Sequence, residues 1–124
     1  MSAPTPVRPG LHVVLGAGPV GRAVAKELRR HPDTRVRVVS RSGRAVEGAE
    51  GVACDLSDPA QAARVCADAA TVTFAVAPAY TRWAQEFLAL QEAAIRGAAE
   101  ADAVLVAVEN LYGYGRAGVL REDD

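Results

Sequence analysis

The chain is poor in the residues that mark metal and redox sites. It has two cysteines, Cys54 and Cys66, two histidines and a single lysine, Lys26. The cysteines lack CxxC spacing, and no cluster of histidines accompanies them. The sequence therefore contains no metal-binding signature, and we expect both thiols to be free and to behave as small buried apolar side chains.

Long apolar runs and an excess of charge of one sign are missing as well. No run reaches the roughly 18 apolar residues of a membrane-spanning helix. The start, MSAPTPVRPG, lacks the apolar stretch of a secretory signal. The formal net charge is −1, with 14 basic and 15 acidic side chains, so no nucleic-acid-binding surface is indicated. These absences predict a cytoplasmic protein with neither a membrane nor a nucleic acid as partner.

What is present is the composition of one globular domain. The chain has 124 residues and 50% of them are apolar, which is enough to bury a core. Three prolines and a glycine make the segment 1–10 look like a flexible tail. We expect residues 11–124 to form a single domain.

Apolar runs typical of buried strands alternate with segments of helical periodicity. Strands are predicted at Leu11–Leu15, Arg35–Val39, Gly51–Cys54, Thr71–Ala77 and Ala103–Val108. Helices are predicted at Pro19–Arg30, after the capping segment Ser57-Asp58-Pro59, and at Tyr80–Ala101. This alternation indicates βαβ units, and hence an α/β fold with a Rossmann-like, doubly wound parallel sheet in the order 3-2-1-4-5.

A glycine pattern lies between the first predicted strand and the first predicted helix. In VVLGAGPVGRAVA, Gly16, Gly18 and Gly21 form GxGxxG, a weak motif that this context turns into a dinucleotide-binding one. Gly16 permits a tight turn, Gly18 lets the backbone approach a pyrophosphate, and Gly21 lets helix and strand pack closely. Pro19 suits the first helical position, and N–H groups of Val20 and its neighbours would face the diphosphate. The alternative is a tight turn in a nucleotide-free α/β protein.

The end of the second predicted strand indicates which dinucleotide would bind. A carboxylate about 20 residues beyond the glycines favours NAD, because it accepts a hydrogen bond from the ribose 2′-hydroxyl. The region instead reads VVSRSGR, which contains Ser40, Arg41 and Arg44. Hydroxyl and guanidinium groups suit a 2′-phosphate, and Arg41 could also stack on the adenine. The sequence thus favours NADP(H) over NAD(H); the alternative is a solvated basic loop.

Four segments, in order, resemble those of the NAD-dependent epimerase/dehydratases, which belong to the extended and atypical short-chain dehydrogenase/reductases. They are the glycine turn, Asp55-Leu56 in ACDLSDP, FAVAP at 74–78, and VAVENLYGYG at 106–115. The resemblance implies that Asp55 accepts a hydrogen bond from the adenine amino group and that Leu56 packs on the ring. It also implies that a small-residue segment, with Ala75 and Ala77, passes beneath the cofactor ribose.

The chain departs from this family at its chemical centre. Leu15 stands where the family's TGxxGxxG pattern has its first glycine, and Asn110 stands at the position of a Ser or Thr that polarises the substrate oxygen. No Tyr-x-x-x-Lys pair occurs, so we expect no catalytic residue here. The resemblance implies the NAD(P)-binding part of an oxidoreductase that ends before the catalytic helix. The alternative is a non-catalytic NADP(H) sensor that acts through a protein partner.

Two apolar surfaces predict self-association. In the helix predicted at 80–101, Leu88 and Ile95 point away from the stripe that faces the core. That stripe consists of Trp83, Phe87, Leu90 and Ala94. The strand predicted at 103–108 is expected at an uncovered sheet edge. We expect a homo-oligomer through one of these surfaces, or poor solubility.

Overall fold

The computed structural model describes residues 7–76 and 80–108, with Tyr80 described by its backbone alone. Strands and helices alternate along these residues. The strands are β1 (Gly10–Leu15), β2 (Thr34–Ser40), β3 (Glu50–Ala53), β4 (Ala69–Phe74) and β5 (Val104–Ala107). The α-helices are α1 (Pro19–Leu28), α2 (Pro59–Cys66) and α3 (Trp83–Glu100), and a 3-10 turn at Tyr80–Arg82 precedes α3.

All five strands run parallel in one sheet of the order β3-β2-β1-β4-β5. This confirms the predicted Rossmann-like fold and its strand order. β1 lies in the centre, and the chain leaves it toward β2 on one side, whereas β4 pairs on the other side. In sheets of this kind, ligands usually bind in the crevice beyond the carboxyl ends of the two strands at which the connections diverge, which are β1 and β4 here.

The core has two parts, one on each face of the sheet. Along β1, Leu11, Val13 and Leu15 belong to the larger cluster with α2 and α3, whereas Val14 belongs to the smaller cluster with α1. This alternation is the period-two pattern of a strand, and both faces are apolar because helices cover both. The central strand is therefore fixed in register by burial on two sides.

The two cysteines lie in the larger core cluster, as predicted. Cys54 and Cys66 are free thiols, 5% and 0% exposed. Burial raises the pKa of the Cys66 thiol to about 11 and also raises the pKa of Cys54. Both thiols therefore stay protonated at neutral pH and pack as apolar groups.

Two predicted absences concern membranes and metals. In the described ranges, no helix combines the length and the apolar character needed to cross a bilayer. Nor do these ranges contain three metal-ligating side chains grouped closely enough to bind an ion. The cytoplasmic location and the flexible tail at 1–10 remain predictions.

Candidate functional site

The turn between β1 and α1 is shaped by close backbone contacts. Gly16 has φ of +118°, a conformation that residues with a side chain rarely adopt. Its N–H donates to the carbonyl oxygen of Val39 at 2.8 Å. A Cβ at position 16 would lie 2.6 Å from the carbonyl oxygen of Ala75, which follows β4. Conformation and contact thus both require glycine here.

Gly21 and Gly18 differ sharply in what surrounds them. Gly21 is buried in α1, and a Cβ there would collide with the carbonyl oxygen of Gly16. Gly18 has φ −77° and ψ −171°, an extended backbone that any residue adopts. A Cβ at position 18 would meet no atom of the described residues within 4 Å. Packing therefore explains Gly21, whereas nothing in the described fold requires glycine at 18.

The amino end of α1 presents backbone donors to the crevice. Gly18 is the N-cap and no described side chain caps the helix. Pro19 has no N–H, and the N–H groups of Val20 and Gly21 precede the first intrahelical bond, which runs from Arg22 N to Gly18 O at 2.9 Å. The first turn contains no acidic residue. This end of α1 therefore carries the partial positive charge that suits an anion.

The turn after β2 is fixed by Ser40. The Ser40 hydroxyl oxygen accepts a hydrogen bond from the Arg44 N–H at 3.2 Å, and its carbonyl oxygen accepts one from the Cys54 N–H at 2.9 Å. Arg41 and Arg44 extend exposed side chains from this turn. Ser40 and the exposed side chains of two arginines thus lie in the turn at the carboxyl end of β2.

An open hollow of about 490 Å³ lies beside this turn, at the ends of β2 and β3. Its lining residues are Arg41, Ala53, Cys54, Asp55, Ser57 and Gln61. Asp55 Oδ1 accepts hydrogen bonds from the hydroxyl and the N–H of Ser57, at 2.6 and 3.0 Å. The Ser57 hydroxyl is the main cause that lowers the pKa of Asp55, so this carboxyl is a charged acceptor at neutral pH.

The other residues implied by the family resemblance are placed differently. Leu56 is 7% exposed and belongs to the larger core cluster, so little of its side chain remains for an adenine ring. Ala75 is half-buried, and its N–H donates to the Leu15 carbonyl oxygen at 2.9 Å, next to the glycine turn. Ala77 and Asn110 lie outside the described residues.

One charged residue without a predicted role, Glu86, lies close to this group. Glu86, in the first turn of α3, lies with its Oε2 3.9 Å from Arg41 Nη2 and its Oε1 3.4 Å from Arg82 Nε. A signal for it exists in the sequence. A helix that follows a strand of a parallel sheet begins at the carboxyl edge, so an acid in its first turn lies near that edge.

Several solved structures resemble this one. A protein of Burkholderia pseudomallei that is described as exported has a TM-score of 0.63 and 29% identity, over 78% of this chain and 46% of that one. An oxidoreductase of Lactococcus lactis has a TM-score of 0.68 and 13% identity, over 82% and 49%. A mutant of uronate dehydrogenase from Agrobacterium tumefaciens, complexed with NAD, has a TM-score of 0.63 and 21% identity, over 82% and 41%.

These likenesses support the fold assignment. No protein-family model and no curated protein matches the sequence. This chain spans about half, or less, of the length of the three solved structures. At these identities the likeness establishes a Rossmann-like α/β fold shared with oxidoreductases.

Proposed function

We propose that this chain is the NAD(P)-binding domain of an epimerase/dehydratase-like oxidoreductase and that it prefers NADP(H). The surroundings of Gly18 are the observation that carries the proposal. The described fold has room for a side chain there, and yet a glycine stands at the uncapped amino end of α1. A ligand that lies directly against this backbone accounts for the glycine.

The residues around the crevice fit a dinucleotide. The N–H groups of Val20 and Gly21 would bind the pyrophosphate. The adenosine end would lie toward the hollow, where the ionised Asp55 can accept a hydrogen bond from an amino group. Arg41 and Arg44 supply two cations for a 2′-phosphate, which is the basis for preferring NADP(H). When bound, such a cofactor supplies hydride transfer.

The chemistry itself is not assigned to this chain. The sequence contains no Tyr-x-x-x-Lys pair, so the base that this family would use is missing from it. Asn110, at the family's Ser or Thr position, has an amide that can donate to a carbonyl oxygen but cannot relay a proton as a hydroxyl can. We therefore propose cofactor binding, and not turnover, as the activity of this chain.

A second candidate is an NADP(H) sensor that signals through a protein partner. The exposed apolar surface of α3 favours it, since Leu88 is 71% exposed and Ile95 is 48% exposed. A sensor binds the cofactor without turnover and changes its affinity for the partner when the cofactor binds. The two candidates therefore share the binding test and differ in whether cofactor binding alters the affinity for a protein partner.

The binding test uses two matched glycine variants. Titration calorimetry of the wild type with NADPH and with NADH should give saturable binding, tighter for NADPH. Gly18→Ala should lower the Tm only slightly, because its Cβ enters open space and alanine is merely a poorer N-cap than glycine, and it should weaken NADPH binding at least about tenfold through a clash with the pyrophosphate. Gly21→Ala should instead lower the Tm, because its Cβ meets the Gly16 carbonyl group.

The outcomes separate the proposal from a tight turn that binds nothing. A wild-type protein that shows no saturable signal with either nucleotide refutes the proposed function. Wild-type affinity in Gly18→Ala would show that the nucleotide binds elsewhere. An Arg41→Ala variant that loses affinity for NADPH and keeps it for NADH supports the NADP(H) preference, whereas equal loss for both contradicts it.

A further inference from the structure

The fold brings a carboxylate to a place where the sequence has only basic residues. The turn after β2 carries Arg41 and Arg44 and no acid. Glu86 reaches this turn from α3, with its Oε2 3.9 Å from Arg41 Nη2. The two residues are far apart in sequence, and the pair spans the carboxyl edge of the sheet beside the hollow. Arg41 is thus part of the proposed nucleotide site and also the partner of a carboxylate.

Glu86 is the least exposed member of its ion-pair group. Its side chain is 26% exposed, against 75% for Arg41 and 57% for Arg82. Its Oε2 has almost no exposed surface and accepts no hydrogen bond from the described residues. Distances of 3.9 and 3.4 Å exceed the roughly 2.7–2.9 Å of a charge-assisted hydrogen bond. The carboxylate therefore acts on Arg41 through its charge, and solvent screens that charge only in part.

We propose that Glu86 determines how strongly this site discriminates between NADP(H) and NAD(H). Its carboxylate offsets the charge of Arg41 and so weakens the attraction of that guanidinium group for a 2′-phosphate, which moderates the preference for NADP(H). The proposal rests on the proposed function. A 2′-phosphate carries close to two negative charges and responds to the charge that Arg41 presents, whereas a ribose 2′-hydroxyl is neutral.

The other acid near Arg41 does not have this role. Asp55 also feels the charge of Arg41, which contributes to the lowering of its pKa. Its Oδ1, however, already accepts two hydrogen bonds from Ser57. Glu86 Oε2 has no such hydrogen-bond partner among the described residues and lies 3.9 Å from Arg41 Nη2, while Oε1 lies 3.4 Å from Arg82 Nε, so the charge of this carboxylate acts on both guanidinium groups.

The test compares two Glu→Gln variants on the same helix. Kd values for NADPH and NADH are measured by calorimetry at fixed ionic strength for the wild type, Glu86→Gln and the control Glu100→Gln. Glu86→Gln should tighten NADPH binding roughly three- to fivefold and change NADH binding by less than about twofold. Glu100 is exposed at the far end of α3, about 20 Å along the axis, so its variant should behave as the wild type.

A double variant identifies the route of the effect. In an Arg41→Ala background, Glu86→Gln should no longer favour NADPH, because the cation whose charge it offsets is absent. Unchanged or weaker NADPH binding in Glu86→Gln, equal changes for both cofactors, or a selective gain that persists without Arg41 would each overturn the proposal. A wild type that binds neither cofactor refutes the proposed function itself. If the wild type binds but Glu86→Gln changes neither affinity, only this inference is refuted.

Discussion

The three glycines of the turn have separate physical causes, although the motif treats them alike. The tight turn and the close packing predicted for Gly16 and Gly21 correspond to contacts in the structure, with the Ala75 carbonyl oxygen and with the turn itself. The role predicted for Gly18 involves a ligand and has no counterpart inside the protein. Two glycines of the motif are therefore explained by folding, and the third is explained by ligand binding.

Asp58 carries a residue-scale prediction about pH. Its carboxylate accepts hydrogen bonds from the Gln61 side chain and from the Ala60 N–H, both at 3.0 Å. These bonds lower the pKa of Asp58 below its ordinary value of 3.8, so the ionised form stabilises the fold above about pH 4. That stabilisation is lost as the pH falls through the folded-state pKa. Asn caps a helix about as well as Asp but does not titrate.

We therefore expect Asp58→Asn to lose less stability than the wild type on acidification. Urea unfolding of both proteins at neutral pH and at about pH 3 measures this. The difference in free energy of unfolding between wild type and Asp58→Asn should be smaller at the lower pH. Asp55 has a lowered pKa as well, so adding Asp55→Asn should flatten the acid dependence further. If the free energy of unfolding changes equally with pH in wild type and Asp58→Asn, the Asp58 carboxyl does not contribute to the acid dependence.

At the scale of elements, the packing of α2 on α3 depends on a glycine without a sequence signal. Gly97 lies inside α3, where a Cβ would be 2.9 Å from Cys66 Sγ and 3.3 Å from the Ala62 carbonyl oxygen. A glycine inside a helix costs about 1 kcal/mol relative to alanine. Close approach of the two helices offsets that cost.

Gly97→Ala should therefore destabilise the protein by about 1–3 kcal/mol in urea unfolding, in spite of its higher helix propensity. Cys66→Ala removes the sulfur atom that the new methyl group would meet. The double variant should therefore lose less free energy of unfolding than the two single variants lose together. A stabilised Gly97→Ala protein would mean that α3 shifts freely away from α2.

The order and type of the elements are predictable because buried strands and amphipathic helices have distinct periods. The residues at which these elements begin and end are less predictable. The apolar pattern predicts that β4 continues to Ala77, but the strand ends at Phe74, and the carbonyl oxygen of the next residue, Ala75, lies against Gly16. The helical pattern likewise predicts that α1 reaches Arg30, whereas the helix ends at Leu28. Apolar composition continues past the hydrogen-bonded ladder, so composition alone cannot locate the end of a strand.

At the scale of the whole molecule, the sequence predicts which edge carries the site but not which side chains meet there. The strand order places the ends of β1, β2 and β3 and the start of α3 along one edge. Whether Glu86 reaches Arg41 depends on how α3 packs on the sheet, through contacts such as the edge-to-face pair of Phe74 and Phe87 with centroids 5.8 Å apart. Those contacts come from tertiary packing and have no local pattern.

The same sheet has an apolar edge that bears on the state of association. β5 is the last strand of the described sheet, and Val104, Val106 and Val108 are 44%, 48% and 40% exposed. Leu105, of opposite parity, packs against the larger core cluster. These three valines point to the same face of β5, and the outer edge of β5 has no pairing partner among the described residues, so this surface favours pairing with another chain.

We therefore expect the wild type to self-associate and Val106→Lys to remain monomeric, since a lysine on an edge strand opposes pairing and replaces a half-exposed side chain at little cost to the fold. Sedimentation velocity over a range of concentrations measures this. Leu88→Lys tests the other apolar surface, on α3, and should leave the association intact. If Leu88→Lys dissociates the protein and Val106→Lys does not, the interface lies on α3. A wild type that is monomeric at every concentration would contradict self-association.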